Sequence, residues 1–530
     1  MKGFIRNLSF FFSVSAVANL HGFAMNSKMT YEVVVVGGGI GGLTTAALLA
    51  ARGVSVCLLE RDARVGGCAS TFEHFGHSFE TCAGLYACWQ PGELHERIFA
   101  ELPVAPPEVR EVSPAYTVRL HGGADVRVGG RPEEFAETLR ESFPECADAA
   151  VAFYQEAAQI AGALGRAARR TPALADASKL QLIKLAASEP RLAPRILAAR
   201  GDTAAKHLAA TSHRFRCFID AQLQIFAQAP SDACAYLYAA VALSQPLRGM
   251  YAISGGAQAL CDALAESIRK SGGTVRLDTT ALRLAYDSRG HAAGVTLLSG
   301  EAVAARRAVV SNLTVWDTYG KLVGADHTPA PQSTRLKQLR GWGAYQIFVS
   351  LDEEAAARLP SDKVLVLSDE HEGETFNAER ALFMLGSSPA WDARAPGGKR
   401  AATVSTFTDA EQWFTFHADE SEHEEQDRRT LEALWGRVHA RLPELGAGAE
   451  VFETATPRTF YERTRRRLGM VGGVGQSMEV FGARGPTHKT TIPNLFMVGD
   501  TVFPGNGVAA VTHSALIVAN EIAPPVGRSR

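Results

Sequence analysis

Hydrophobic positions fall into three patterns along the chain. Residues 31–36 are mostly β-branched, carry almost no polar interruption and run into glycines, as a parallel strand buried on both faces does. Residues 40–51 are apolar and alanine-rich, which predicts a helix closed by Gly53, and 54–59 predict a second strand, completing a βαβ unit. Helical spacing dominates from 132 to about 243, broken at Pro172, Pro190 and Pro194. A helix is expected over 255–271, then short strands at 274–277, 281–286, 293–298 and 308–311. Strands of a second sheet are expected at 343–351, 381–387 and 401–408. Residues 419–441 are acidic, then mixed in charge, and predict a solvated helix. The pattern closes with a buried strand at 495–498 and a helix at 511–522.

Composition narrows the class. The 530 residues exceed one simple core, and 46% hydrophobic with 21% charged residues is the balance of a globular protein. A net charge of -2 gives no global attraction to nucleic acid, so none is expected as a partner. Eight cysteines without a C-x-x-C pair predict reduced thiols in a cytoplasmic protein and no metal site. Residues 1–28 place Lys2 and Arg6 ahead of an apolar run, which reads as a leader or as a start misassigned upstream of Met25 and Met29. No run of 18 apolar residues predicts a membrane-spanning helix.

The chemistry is written first in glycines. Gly37, Gly39 and Gly42 satisfy G-x-G-x-x-G, with Gly41 inside it, after a predicted strand and at the start of a predicted helix. Gly37 permits the tight turn, Gly39 lets the backbone approach a pyrophosphate, and Gly42 lets helix pack on strand. The helix N-terminus offers free N–H groups to the anion. Glu60, 18 residues past Gly42, suits the two hydroxyls of an adenosine ribose. Arg61, Arg64 and the pair Gly66-Gly67 then exceed a plain NAD unit, with Arg64 available to phosphate or ribose. Near the other end, Gly499-Asp500 closes a strand and Gly507-Val508-Ala509 opens a helix. Asp500 is expected on a ribityl hydroxyl, the 507–509 backbone at the pyrimidine edge of a flavin, and Ala281 beside the adenine. The cofactor expected is FAD.

The fold class expected is α/β: a discontinuous Rossmann-like FAD-binding domain of the two-dinucleotide-binding-domain flavoprotein type, with a mixed-sheet plus helical substrate domain. Residues 29–110, 246–325 and 456–530 would form the FAD-binding domain, 111–245 a helical substrate and membrane domain, and 326–455 the substrate-domain sheet.

The front pattern through Gly66-Gly67, the Gly255-Gly256 helix, and Val498-Gly499-Asp500 with Phe503-Pro504-Gly505 resemble the phytoene desaturase family of FAD-dependent carotenoid oxidoreductases and isomerases. Several stretches are similar to the cyanobacterial-type carotenoid C-3′,4′-desaturases, among them Asp220-Ala221-Gln222-Leu223-Gln224 and Ala455-Thr456-Pro457-Arg458. Others, such as Ser311-Asn312 and Trp316-Asp317-Thr318, are similar to prolycopene isomerase. Many family members carry arginine where this chain has Cys68, so Cys68 joins the expected cofactor contacts in place of a cation. The resemblance implies a carotenoid desaturase that passes hydride from the polyene to flavin. A cis–trans isomerase of the prolycopene isomerase type is the alternative, or another retinoid or amine-oxidase-like oxidoreductase.

A substrate without a charged handle must be held by apolar burial, at about 25 cal/mol per Å². Leu223, Phe226, Tyr236, Tyr238, Leu243, Met250, Tyr345, Phe348 and Phe383 are candidate tunnel liners. No catalytic base is named; Glu80 and His77 follow the second glycine loop and are the groups placed to approach the ring. Between residues 161 and 216 eleven Lys or Arg face only Asp176, Glu189 and Asp202, with Leu180, Ile183, Leu192, Ile196 and Leu197 interleaved. That surface predicts peripheral attachment to anionic membrane, where each nearby cation contributes roughly 1 kcal/mol.

Overall fold

The structure, a computed structural model, describes residues 30–173, 177–368, 376–415, 419–481 and 485–525. The leader expected at 1–28 lies outside them. Strand Thr30–Val36 sits inside a seven-stranded sheet, parallel to Val56–Leu59 on one side and to Ala302–Ser311 on the other. Thr274–Arg276 extends the sheet beyond Val56–Leu59, and Leu495–Met497 extends it beyond Ala302–Ser311, both in parallel. Three distant stretches of chain thus share one sheet. Ala281–Tyr286 and Ala292–Leu297 form an antiparallel flap feeding Ala302–Ser311.

The unbroken run of valines follows from burial on both faces. Val33 and Val35 pack under helices Ile40–Ala51, Ala257–Lys270 and Val508–Ile522, while Val34 and Val36 pack against Trp316, Tyr319 and Leu322. Helix Ile40–Ala51 is apolar all round because nearly all of it is enclosed.

The second sheet also has seven strands, in the order Ala449–Ala455, Gly343–Asp352, Lys399–Thr408, Leu382–Ser387, Lys363–Leu367, Tyr116–Arg119, Asp125–Val128. Its last two strands come from the stretch expected to be helical. That hairpin precedes Pro132, and Tyr116–Arg119 joins Lys363–Leu367 in parallel. One face of this sheet is sealed by helix Glu420–Arg441, which buries only Leu434 and Val438 and leaves its charged face in water. The other face turns toward the first sheet. Helices Pro132–Ser142, Ala147–Arg170, His213–Ala227 and Tyr236–Ser244 pack round Phe143, Phe215 and Phe218 as a third body of core. No helix among the described residues is long and apolar enough to cross a membrane, and no cluster of His, Cys, Asp or Glu among them suits a metal ion.

Candidate cofactor and substrate site

The front glycines sit where backbone geometry demands them. Gly37 has φ +99°, and its N–H donates to the Leu59 carbonyl at 2.8 Å. A Cβ on Gly42 would stand 2.1 Å from the Gly37 carbonyl oxygen, so the third glycine is what lets the helix close on the turn. Cβ atoms on Gly39 and Gly41 would strike the Asn312 side chain at 2.8 and 2.5 Å. Asn312, just past strand Ala302–Ser311, therefore shapes the turn from behind; in the sequence it stands out only within the stretch similar to prolycopene isomerase.

Glu60 closes the turn sideways. Its Oε2 accepts from the Gly38 N–H at 2.6 Å and its Oε1 from the Asp62 N–H at 2.8 Å, while burial pushes its carboxyl up from the usual range. Each oxygen keeps a lone pair for a ribose hydroxyl. The Gly66-Gly67 loop crosses the same turn, with the Gly66 N–H donating to Gly38 O at 2.8 Å and both glycines at positive φ. The middle segment arrives by Thr279 N–H donating to the Glu60 carbonyl at 2.8 Å, and half-buried Ala281 opens strand Ala281–Tyr286 two residues on.

At the far end Gly499, φ +118°, donates to Ser514 Oγ at 3.2 Å and delivers Asp500 to the cavity wall. Asp500 pairs with Arg466 at 2.9 Å, each side chain only 16% exposed. Arg466 is held in turn by the Met470 carbonyl, 2.8 Å from its Nε. A Cβ on Gly473 would lie 2.1 Å from the Asp500 carbonyl oxygen, so that glycine belongs to the Asp500 turn. Gly507, φ +96°, precedes helix Val508–Ile522, whose first N–H groups open onto the same space. Sequence reasoning missed Arg466; its traces were the arginine run 465–467 and the glycine pair 472–473 behind it.

A cavity of about 270 Å³ joins the two ends, with Gly39, Gly41, Gly66, Cys68, Gly499, Asp500, Gly507 and Val508 in its wall. Burial pushes the Cys68 thiol up, which keeps it protonated. Two expected cations go elsewhere. Arg61 donates to the carbonyls of Arg463 and Glu462, and Arg64 is exposed, its nearest partner the Thr71 carbonyl at 3.4 Å. Neither lies in the cavity wall, nor do Gly37, Gly42, Glu60, Gly67 and Ala281; there Arg466 supplies the cation beside Asp500. Glu80 reaches the wall but is already committed. It pairs with Arg394 at 2.9 Å, accepts from Tyr86, and caps helix Ala257–Lys270 at the Ala257 N–H, 3.1 Å away. His77 turns outward from the cavity, onto Ser350 Oγ at 2.9 Å and the Phe79 ring.

A second cavity of about 420 Å³ adjoins the first, sharing Cys82, Ala83, Ile225, Asn506, Gly507 and Val508 with it. It runs from the start of helix Val508–Ile522, where Ala509 lines it, to the end of helix Ala147–Arg170. Of the expected liners, Phe226, Tyr238 and Met250 face it. Leu223, Tyr236 and Leu243 fill the helical core, and Phe348 packs on Phe72 and Phe79. Tyr345 and Phe383 point to the far side of the second sheet, with Val349 and Leu385. Alternation along a strand explains this: Ala344, Gln346, Met384 and Gly386, one position away, are the residues that meet the cavity.

These features fit an extended dinucleotide flavin. The glycine turn forms a cradle that any Cβ would fill, a carboxylate stands at the ribose position, and two helix N-termini bracket one continuous cavity. Gln228 and Gln346 each line that cavity with a buried Oε1 that has no hydrogen-bond partner among the described residues.

The model of the family described as flavin-containing amine oxidoreductase matches residues 40–523. The chain is similar to the chloroplastic prolycopene isomerase of Daucus carota, 25% identical with 94% of this chain and 80% of that protein aligned. It is also similar to the all-trans-retinol 13,14-reductase of Danio rerio, 23% identical over 92% of this chain and 86% of that protein. Among solved structures, a redesigned putrescine oxidase shares the fold with a TM-score of 0.62 at 15% identity, covering 93% of this chain and 98% of that one. The chain belongs to the flavin-containing amine oxidoreductase family and is an FAD-dependent oxidoreductase.

Proposed function

We propose that the chain dehydrogenates an apolar polyene of the carotenoid class, with cis–trans isomerisation of such a polyene as the second reading. The observation carrying the polyene is the 420 Å³ cavity that opens onto the flavin-side cavity at Gly507 and Val508. Phe226, Tyr238, Met250 and Leu237 give it an aromatic and aliphatic wall, suited to a long hydrocarbon held by burial. FAD, when bound, exchanges hydride with a substrate carbon. The chain's part is to lay one polyene bond against the ring, exclude water, and let the neighbouring carbon lose its proton. Likeness to a prolycopene isomerase along 94% of the chain favours the second reading, in which bond geometry changes without net oxidation.

Anaerobic mixing of the holoprotein with acyclic carotenoids separates the two. Flavin bleaching with a substrate two hydrogens poorer supports dehydrogenation. Geometric isomers with no net oxidation support the isomerase. Flavin inert to every polyene but reduced by amines would overturn both.

Delivery from a bilayer is part of the same proposal. Helices Lys179–Ser188 and Ala193–Ala199 follow the cavity mouth in the chain and expose Leu180, Leu182, Ile183 and Leu197 at 46–65% among their cations. Ile196 instead packs on the helical core. Exposed leucines within a basic surface suit anionic lipid. Reversing Lys179, Lys184, Arg191 and Arg195 to glutamate should lower sedimentation with anionic vesicles at least tenfold; unchanged sedimentation would remove the membrane from the proposal.

A further inference from the structure

The mouth of the apolar cavity carries more positive charge than a hydrocarbon needs. Arg97, Arg169 and Arg248 stand in its wall, against the single carboxylate of Glu93. Glu93 is shared between two of them, paired with Arg248 and lying 3.7 Å from Arg169. Arg97 is left over. It is half-buried on helix Leu94–Phe99, and its guanidinium has no hydrogen bond or ion pair among the described residues. Its nitrogens are not sealed from water, so the guanidinium is free to meet an anion that enters the cavity.

His513 lines the same cavity, five residues past Val508, near enough to Arg97 to feel its charge. Burial, with the charges of His488 and Arg97 beside it, pushes its imidazole down to about 4. It is therefore neutral near pH 7 and presents one N–H donor rather than a second cation. An unanswered arginine and a neutral donor at the end of an apolar cavity match the head of an amphiphile whose chain lies toward Gly507.

We infer that the cavity takes a polyene that ends in a carboxylate, with the carboxylate on Arg97 and the unsaturated chain directed at the flavin-side cavity. This rests on the polyene reading above and deepens it, exchanging an unfunctionalised hydrocarbon for a polyene acid. The reacting bond is then set by its distance from the carboxylate, since the anchored end fixes how far the chain reaches.

The test compares three probes of equal chain length on the flavin-loaded protein at pH 7.5: an all-trans polyene carboxylic acid, the matching alcohol and the matching hydrocarbon. Quenching of protein fluorescence reports binding, and flavin absorbance reports that each variant is folded and loaded. The acid should bind about tenfold more tightly than the alcohol, the difference one charge-assisted hydrogen bond makes. Arg97→Gln should erase that preference without changing alcohol affinity, and Arg97→Lys should restore most of it. Equal affinities for acid and alcohol, or an acid preference that survives Arg97→Gln, would overturn the inference while leaving the polyene reading in place. So would an Arg97→Gln variant that loses affinity only for vesicles of anionic phospholipid, because the anion met at the mouth would then be a lipid head group. Failure of all three probes to bind would instead overturn the polyene reading itself.

Discussion

The two joined cavities are built on opposite principles. Around the flavin-side cavity the decisive contacts are made by backbone: positive-φ glycines, helix N-termini and carbonyls packed within a Cβ radius of one another. Around the apolar cavity they are made by side chains from four separate stretches, Cys82–Arg97, Ala161–Pro172, Ile225–Met250 and Val474–Leu516. A backbone site tolerates almost no change in side-chain size but is indifferent to most chemistry at its rim. A side-chain site tolerates individual losses and sets selectivity by summing them. Cofactor binding and substrate choice should therefore fail separately.

The sharpest way to break that contrast is Gly42→Val, which drives a Cβ to 2.1 Å from the Gly37 carbonyl oxygen. It should abolish flavin retention and bring unfolding well below the wild-type midpoint, read by absorbance near 450 nm and thermal denaturation (about 450 nm being the general flavin band). A coloured, stable Gly42→Val protein would show that the turn is not backbone-limited. Asp500→Ala follows in size. It strips the partner from Arg466, a pair 16% exposed on each side, and should cost about 3–5 kcal/mol. Adding Arg466→Met should return much of that stability but not flavin affinity, which separates the ion pair from the cofactor contact.

The helical wall offers a pH test. Burial pushes the Asp220 carboxyl up to about 6, although it accepts from the Ser231 N–H at 2.5 Å. Because its folded pKa lies above the ordinary value of 3.8, its contribution is full below that value and declines as pH rises through about 6. That displacement corresponds to about 2–3 kcal/mol. Urea unfolding of wild type and Asp220→Asn at pH 4 and pH 7 should show the variant gaining by this amount at pH 7; an equal difference at both values would refute it. The smallest effect should come from Phe226→Ala, which opens the apolar wall far from the glycine turn. Polyene KM should rise about tenfold, with flavin content unchanged. Loss of flavin from this variant would show that the two cavities are not independent.

Legibility in the sequence followed the same division. The βαβ unit, the Gly499-Asp500 strand end and the middle segment could be read because backbone requirements leave glycine and β-branched residues at fixed spacing. Arg61 and Arg64, expected beside the cofactor, turn to backbone carbonyls outside the cavity wall, because adjacency along the chain is a poor guide to where a long, flexible side chain ends. Arg61 found carbonyls on the helix Pro457–Thr464 instead. The liners on strands failed by parity: Tyr345 and Phe383 are aromatic in the right elements, yet one residue out of phase with the cavity.

Local geometry, then, was determined by the sequence itself: where turns must be tight, which strands are sealed on both faces, and that a dinucleotide is cradled at the front. Which charges meet was left to the tertiary structure. Arg466 reaches Asp500 across 34 residues, Arg394 reaches Glu80 from the connection between strands Leu382–Ser387 and Lys399–Thr408, and Arg97 has no ion pair among the described residues while Glu93 is taken by two other arginines. The reason is range: backbone conformation is decided within a few residues of each position, whereas an ion pair or a cavity wall depends on which distant segments the fold brings within a few ångströms.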